Sequence, residues 1–431
     1  MSWIADCNLV SPGLECFYDK TNNLTKGDTI VMLRFRYGNV NDEYEYQDNQ
    51  LHAIDSYLDE DQIRQRFADT YRSCQTGRGR TPLDPVIAYK AHLLYFLKRD
   101  IISFNKLPEQ INDKADYRAF CRSQGISFTA GYLSIFRKHH LTAEIAEQLH
   151  QDILSGMKIQ SSTAPLRMGI WDSVPMPSYS SPYKDTKHCD CEEPCDCPKH
   201  FSDKDATIGS RKPTPTCKDK FLGYRKHTIL LYDEDKDKRL PIATSVQPAN
   251  KADIELMEEI LKQCIGKLDV LLVDKAIYDF QQILEWYESY RILVLVKPKC
   301  NAVLSEYPVN DKATPCCPQQ EEPLQWSHLD WEDKVHIYDC IQPNCLYSPE
   351  CPRQFEIPMD QHPALLGVFP AHTRCGRFLL SLRGLIEPEF GVQTLWSKLK
   401  RLPFRRLLNF RLLAQLIDTA TMLRKVVNVN A

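Results

Sequence analysis

The sequence predicts an α/β domain that follows a helical region. Two observations carry this. Apolar residues recur at helical spacing between residues 81 and 157. From Leu166 the texture changes to short apolar or alternating runs divided by turns and helices. The inferred order there is β-β-β-α-β-α-β, and strands alternating with helices belong to one sheet.

Residues 1 to about 70 are polar and acidic, with weak periodicity. At Thr81 a cap meets Pro82, which suits the first helical position. Val86, Ile87, Leu93, Leu94 and Leu97 then keep an apolar spacing. LPEQINDKADYRAFCR reads as one or two short helices. Thr129 caps the next, TAGYLSIFRKHH, and TAEIAEQLHQDILSGM follows with Gly156 near its end. RMGIWD predicts a strand ending at Asp172. FLGYRKHTILLY alternates, and the turn DEDKDKR leads into LPIATSV as its hairpin partner. Asp253 predicts a capped helix to about Cys264. LDVLLV is a buried strand ending at Asp274, Asp279 to Ser289 a helix, and RILVLV another buried strand.

Residues 298–370 are rich in Pro and Cys, with short strand candidates such as KVHIYDC, and read as an insertion. Residues 377–400 are helical in pattern, although Pro388 disturbs them. A last helix over about 403–427 lines up Leu408, Leu412, Leu416, Ala420, Leu423 and Val427. Arg405, Arg406, Arg411 and Arg424 fall mostly off that stripe. The expected division is a helical region over 1–160 and an α/β domain over 161–431.

The chain has 431 residues, of which 43% are hydrophobic and 26% charged, a globular balance. No apolar run approaches the ~20 residues of a membrane span. The start, MSWIADCNL, lacks the basic and apolar regions of a secretory leader, so a cytoplasmic protein is expected. The 17 cysteines are odd in number and read as reduced thiols with metal-binding capacity rather than a disulfide framework. From Ala371 onward, 11 Lys and Arg stand against 3 Asp and Glu, whereas the whole chain is −3. A basic tail on an acidic body predicts a local polyanion-binding face.

Asp172 and Asp274 each follow an apolar strand segment. Carboxylates brought together on neighbouring strands repel unless a divalent cation lies between them. Hard oxygen donors without imidazole favour Mg²⁺ or Mn²⁺. A third carboxylate completes two metal positions, and Glu387 in RGLIEPEF is placed to supply it.

In this order, IWDSVPM, FSDKDATIG, the stretch KFLGYRKHTILLYDEDKDKRLPIATSVQPANKADI, VLLVDKAIYD and RGLIEPEFGVQTLWSKLK resemble DDE transposases of bacterial insertion sequences. The helices from about 81 to 140 are similar to the N-terminal domain of that group, so the resemblance spans roughly residues 80–427. It implies an RNase H-like mixed sheet flanked by helices. An all-helical N-terminal domain precedes the sheet, and a Cys/Pro-rich insertion precedes the last catalytic helix. By position, Asp172, Asp274 and Glu387 match the metal-binding catalytic triad. Arg383 and Phe390 fit the R-x-x-x-E-x-x-F signature, with Arg383 placed to touch DNA phosphate or orient the carboxylate. Three departures stand out: Pro388 after the Glu, Ile277 where a small residue is usual, and Glu389 as a rival carboxylate.

The activity implied is DNA transposition with two Mg²⁺ or Mn²⁺ ions. The strand is hydrolysed at an element end, and the freed 3′-hydroxyl joins target DNA. Double-stranded DNA, as terminal inverted repeats and as target, is the expected partner, with a homodimer in the synaptic complex. The alternatives are a transposase-derived DNA-binding protein without catalysis and a hydrolytic nuclease of the same fold. Lys398, Lys400, Arg401, Arg405, Arg406 and Arg411 are candidate phosphate contacts. Arg137 and Lys138, with His139 and His140, end a candidate recognition helix. His188, Cys189, Cys191, Cys195, Cys197 and His200 form a candidate zinc cluster, although C-x-C spacing is tight for one. Cys316, Cys317, Cys340, Cys345 and Cys351 form a second. Asp203 and Asp205 read as turn residues, and His227 as packed within its strand.

Overall fold

A computed structural model describes residues 46–71, 82–157, 167–184, 191, 199–210, 220–233, 238–277, 279–296, 307–310, 314–343, 351–359, 370–400 and 402–430. Among the described residues, seven helices come first: α1 (Asn49–Asp55), α2 (Glu60–Ala68), α3 (Pro85–Leu97), α4 (Leu107–Asp113), α5 (Ala115–Cys121), α6 (Ala130–His139) and α7 (Ala143–Gly156). Thr129 caps α6 as expected, accepting from Tyr132 N, and Thr142 caps α7, accepting from Ile145 N. The start of α3 differs. Asp84 caps it and Pro85 takes the first position, three residues after the expected pair, while Thr81 lies outside the described residues.

All thirteen residues of α3 are buried. A helix apolar all round belongs inside a core. Its one lysine, Lys90, reaches Asp55 Oδ1 and Glu60 Oε1, each at 2.6 Å. Arg122, the left-handed residue that ends α5, meets the same two carboxylates at 2.6 and 2.7 Å. This knot of paired charges joins α1, α2, α3 and α5 and compensates the desolvation of Lys90.

Six strands form the main sheet: β1 (Met168–Pro177), β2 (Thr207–Ser210), β3 (Lys220–Asp233), β4 (Lys238–Pro248), β5 (Val270–Val273) and β6 (Leu293–Val296). Antiparallel β3 lies on one edge of β1, and β5 then β6 lie parallel on the other. The outer edge of β3 pairs first with β2 and then with β4. After β4, a 3₁₀ turn (Asp253–Leu256) leads into α8 (Met257–Lys262), and α9 (Phe280–Tyr290) connects β5 to β6. This is the expected order with β2 added, and the fold is RNase H-like.

Asp172 does not end its strand. β1 runs on for five residues because β3 pairs along its whole length and Val174 and Met176 keep facing the core. The pairing with β5 covers only Met168 to Ile170. Pro175 and Pro177 sit beyond it, where a missing ladder donor is tolerated. Asp253 is likewise not a cap but the first residue of the 3₁₀ turn, and Ala252 precedes it.

In the insertion, β7 (Gln325–Asp330), β8 (Val335–Asp339) and β9 (Gln354–Pro358) make a separate antiparallel sheet. It has its own small core of Cys317, Leu324, Tyr338, Phe355 and Ile357. Next come α10 (Arg374–Ser381), a 3₁₀ turn (Leu382–Leu385) and α11 (Ile386–Trp396). Pro388 is the third residue of α11. Helical N–H groups have no intrahelical partner in that first turn, so the proline removes no bond.

The last helix, α12 (Leu407–Asn430), departs most from expectation. Every residue from Leu412 to Arg424 is buried, whereas Leu408, placed on the apolar stripe, is exposed. Rather than offering a basic face, α12 is a central element that packs on β4, α7 and α3. One continuous apolar core therefore runs from Leu51 in α1 through the sheet to Val427 in α12. Among the described residues, no helix is long and apolar enough to cross a membrane.

Candidate active site

Parallel pairing of β1 with β5 sets Ile170 level with Leu272. Two residues further along each chain, the same register brings Asp172 beside Asp274. The two carboxylates are held alike. Asp172 Oδ1 accepts the Ser173 N–H at 2.8 Å, and Asp274 Oδ1 accepts the Lys275 N–H at 2.8 Å. Their Oδ2 atoms share one cation. Arg383 Nη2 stands 3.0 Å from Asp172 Oδ2 and 3.5 Å from Asp274 Oδ2.

Burial pushes the Asp172 carboxyl up to about 6, against the pull of Arg383 and the Ser173 N–H. The negative charges of Asp274 and Asp253 add to the rise. Asp253 is thus a neighbour of the site, which its reading as a helix cap missed. Ser173 Oγ donates to Asp253 Oδ2 at 3.4 Å, and Arg225 Nη1 donates to Ser173 Oγ at 3.4 Å. Burial raises the Asp253 carboxyl as well. The signal for this group was the adjacency of Ser173 to Asp172; of its partners, Arg225 arrives on β3 and Asp253 in the turn after β4.

Glu387 lies in the first turn of α11, exposed, four residues after Arg383. Glu389, its sequence rival, is buried on the other side of the helix and pairs with Lys425 of α12 at 2.5 Å. Ile277, at the position where a small residue is usual, is fully buried in the core. His227 is buried against the Trp171 ring, and burial drives its imidazole down to about 3.

The basic residues divide by environment. Lys400, Arg405, Arg406 and Lys138 are exposed, and Arg401 lies outside the described residues. Two of the exposed set are partly anchored. Arg405 Nε donates to Tyr179 O at 2.7 Å, and Arg406 Nη1 is 3.5 Å from Asp205. Lys398 turns inward: its Nζ donates to Tyr95 O at 2.9 Å and lies over the Tyr95 ring, and burial lowers it to about 8. Arg137 is spread over the Phe404 ring at 4.4 Å. Both serve packing between the N-terminal helices and the C-terminal segment. Arg411 is half-buried and donates to Val246 O.

Asp203 and Asp205 do more than turn the chain. Asp203 is buried and accepts from Tyr224 Oη, Ser178 Oγ and the Arg406 N–H, while Asp205 accepts from the Leu407 N–H. Together they fix the start of α12 to the sheet.

Cys189, Cys195, Cys197 and His188 lie outside the described residues, whereas Cys191 and His200 are exposed. In the insertion, Cys316 and Cys317 are buried and Cys340 and Cys351 half-buried, while Cys345 is outside the described residues. Cys317 is part of the small apolar core, and Cys340 and Cys351 pack against it. Among the described residues, no three His, Cys, Asp or Glu side chains stand close enough to hold a metal. The carboxylates follow suit, since Asp172 and Asp274 meet through Arg383 while Glu387 faces solvent.

Two families match the chain. A transposase domain (DUF772) matches residues 39–139, spanning α1 to α6. A transposase DDE domain matches residues 182–338, from just after β1 into β8. The second match includes Asp274 but neither Asp172 nor Glu387. A comparison with curated proteins finds no match. Among solved structures, a cryo-EM structure of the piggyBac transposase synaptic complex with hairpin DNA is similar at a TM-score of 0.36 and 9% identity. That alignment covers 90% of this chain and 75% of the other. With a transposase domain on its helices and a transposase DDE domain on its sheet, the chain belongs to the DDE-type transposases, enzymes that act on DNA.

Proposed function

We propose that Asp172, Asp274 and Glu387 are the catalytic carboxylates of this transposase. They would hold two Mg²⁺ or Mn²⁺ ions for cleavage at the element ends and strand transfer into target DNA. The observation that supports this reading most is the matched pair. Asp172 and Asp274 each lie two residues past the last paired positions of parallel β1 and β5, each with Oδ1 tied to the next backbone N–H and Oδ2 turned to one shared positive charge. All-oxygen donors around a site that already balances a cation fit a hard divalent ion. Bound there, such ions would supply Lewis acidity for the attacking hydroxyl and the leaving oxygen.

The chain's own residues do the positioning. The backbone N–H groups of Ser173 and Lys275 fix the rotation of the two carboxylates. α11 carries Glu387, exposed, one turn after Arg383. Exposed Lys138, Lys400, Arg405 and Arg406 are the side chains we assign to DNA phosphate, with Arg401 beside them in sequence, and such contacts weaken as salt rises. Pairing two element ends requires two copies, so the working form is a homodimer on cytoplasmic DNA.

The test is to incubate the full chain with labelled DNA carrying both flanks of its own gene and Mg²⁺ or Mn²⁺, beside Asp274→Asn. End cleavage and joining by wild type alone supports the reading. Cutting without joining would make it a nuclease. Binding without cutting would make it a DNA-binding protein of the same fold.

A further inference from the structure

We propose that Arg383 is a resident counter-ion of the Asp172–Asp274 pair, which a divalent metal must displace in order to bind. This rests on the reading of those two carboxylates as metal ligands.

Three observations carry it. The first is position. One nitrogen, Nη2, lies within 3.5 Å of the Oδ2 atoms of both carboxylates. A divalent ion coordinates carboxylate oxygen at about 2.0–2.6 Å, depending on the metal. Metal and guanidinium cannot occupy the same side of the same two oxygens.

The second is the quality of the contact. Arginine grips a carboxylate best through two parallel N–H bonds. Here a single nitrogen serves two carboxylates, while Nε is buried without a hydrogen-bond partner. The arrangement neutralises charge but does not clamp the side chain. It suits a placeholder better than a permanent strut.

The third is the element that carries it. Arg383 sits in the 3₁₀ turn Leu382–Leu385 between α10 and α11. Such turns have poorer hydrogen bonds than an α-helix and often mark hinges. The next residue, Gly384, faces open space. Glu387 follows four residues later on the same segment, exposed. One short segment therefore carries both the cation that closes the pair and the carboxylate proposed to complete the metal site. Withdrawal of Arg383 and approach of Glu387 can be a single movement.

Arg383 thus acts as a positioning residue. In the resting protein it holds two neighbouring like charges side by side. Its cost is a lowered affinity for metal, because the ion competes with a positive charge already in place.

The experiment is Mn²⁺ binding to the full-length protein without DNA, read by electron paramagnetic resonance of the free ion at pH 8. The variants are Arg383→Gln, Arg383→Lys, Asp172→Asn and Asp274→Asn, with circular dichroism as the folding control. Arg383→Gln should bind Mn²⁺ about ten-fold more tightly than wild type, or better. Arg383→Lys, which keeps the charge, should stay within about three-fold of wild type. Both aspartate variants should lose most of the binding. Equal or weaker binding by folded Arg383→Gln would overturn the proposal, because Arg383 would then assist the metal. Tighter binding by Arg383→Lys as well as Arg383→Gln would also overturn it, since charge would not be the cause. Wild-type binding by both aspartate variants would remove the ligand reading itself, and the inference with it.

Discussion

Lys226 Nζ stands 2.6 Å from Asp418 Oδ1, with both side chains sealed from solvent. The pair joins β3 to α12. Gln393 of α11 completes it, accepting from Lys226 Nζ at 3.0 Å and donating to Asp418 Oδ1 at 2.7 Å. Burial pulls the ammonium below its ordinary range while Asp418 holds it up. Because Gln393 shares a helix with Glu387, this network also fixes how α11 is turned. Lys226→Met leaves a buried carboxylate uncompensated and should cost about 3–5 kcal/mol in denaturant unfolding. Lys226→Met combined with Asp418→Leu should recover much of that loss, because no lone charge remains.

The two glutamates of α11 should separate cleanly. Glu387→Gln alters an exposed side chain and should leave the melting temperature within a degree or two. It should nevertheless abolish end cleavage in the assay above. Glu389→Gln breaks a buried pair with Lys425 and should lower unfolding free energy by about 1–3 kcal/mol with cleavage retained. The reverse pattern would transfer the third catalytic position to Glu389.

Acid should destabilise the protein through His150. Its ring is buried between α7, α12 and β4, with Nδ1 at 2.9 Å from Thr419 Oγ1 and Nε2 at 2.9 Å from Pro241 O. Burial lowers its pKa from 6.5 to about 4. Between those values the unfolded chain binds a proton that the folded chain refuses. The stabilisation is therefore complete above pH 6.5 and is lost as pH falls from there through 4. By pH 5 the loss is about 2 kcal/mol. His150→Gln cannot titrate and should show a smaller drop in melting temperature between pH 7 and pH 5 than wild type.

Local signals were legible where a local interaction decides the outcome. Thr129 caps the helix it was expected to cap, since a cap needs only its own next turn. The alternation of residues 220–233 was enough to place β3. Where tertiary packing decides, the pattern misled. The stripe on the last helix was too narrow, because Gln415, Asp418, Thr419 and Thr421 are buried too and find hydrogen bonds there. Lys398, Arg137 and Arg424 counted as surface charge, yet backbone carbonyls or aromatic rings hold them inward. Asp172 and Asp274 were readable as a pair, but Arg383 as their shared partner was not. That contact joins residues 211 positions apart.

Gly223 marks the point where the outer partner of β3 changes from β2 to β4. Its φ of +156° is a backbone conformation that L side chains rarely adopt. A Cβ there would lie 2.3 Å from Met176 O and 2.8 Å from Ser178 N, both backbone atoms that cannot rotate away. Its own carbonyl accepts the Ala249 N–H at 3.1 Å, which ties the end of β4 to the switch point. Gly223→Ala must therefore part β1 from β3 near Pro177 or release the β4 end. Either way the loss should exceed about 2 kcal/mol. Hydrogen exchange should show it locally, with protection lost at Ser178 and Ala249 before the centre of β3. If Gly223→Ala melts with wild type and keeps both amides protected, the backbone at this junction is freer than its geometry implies.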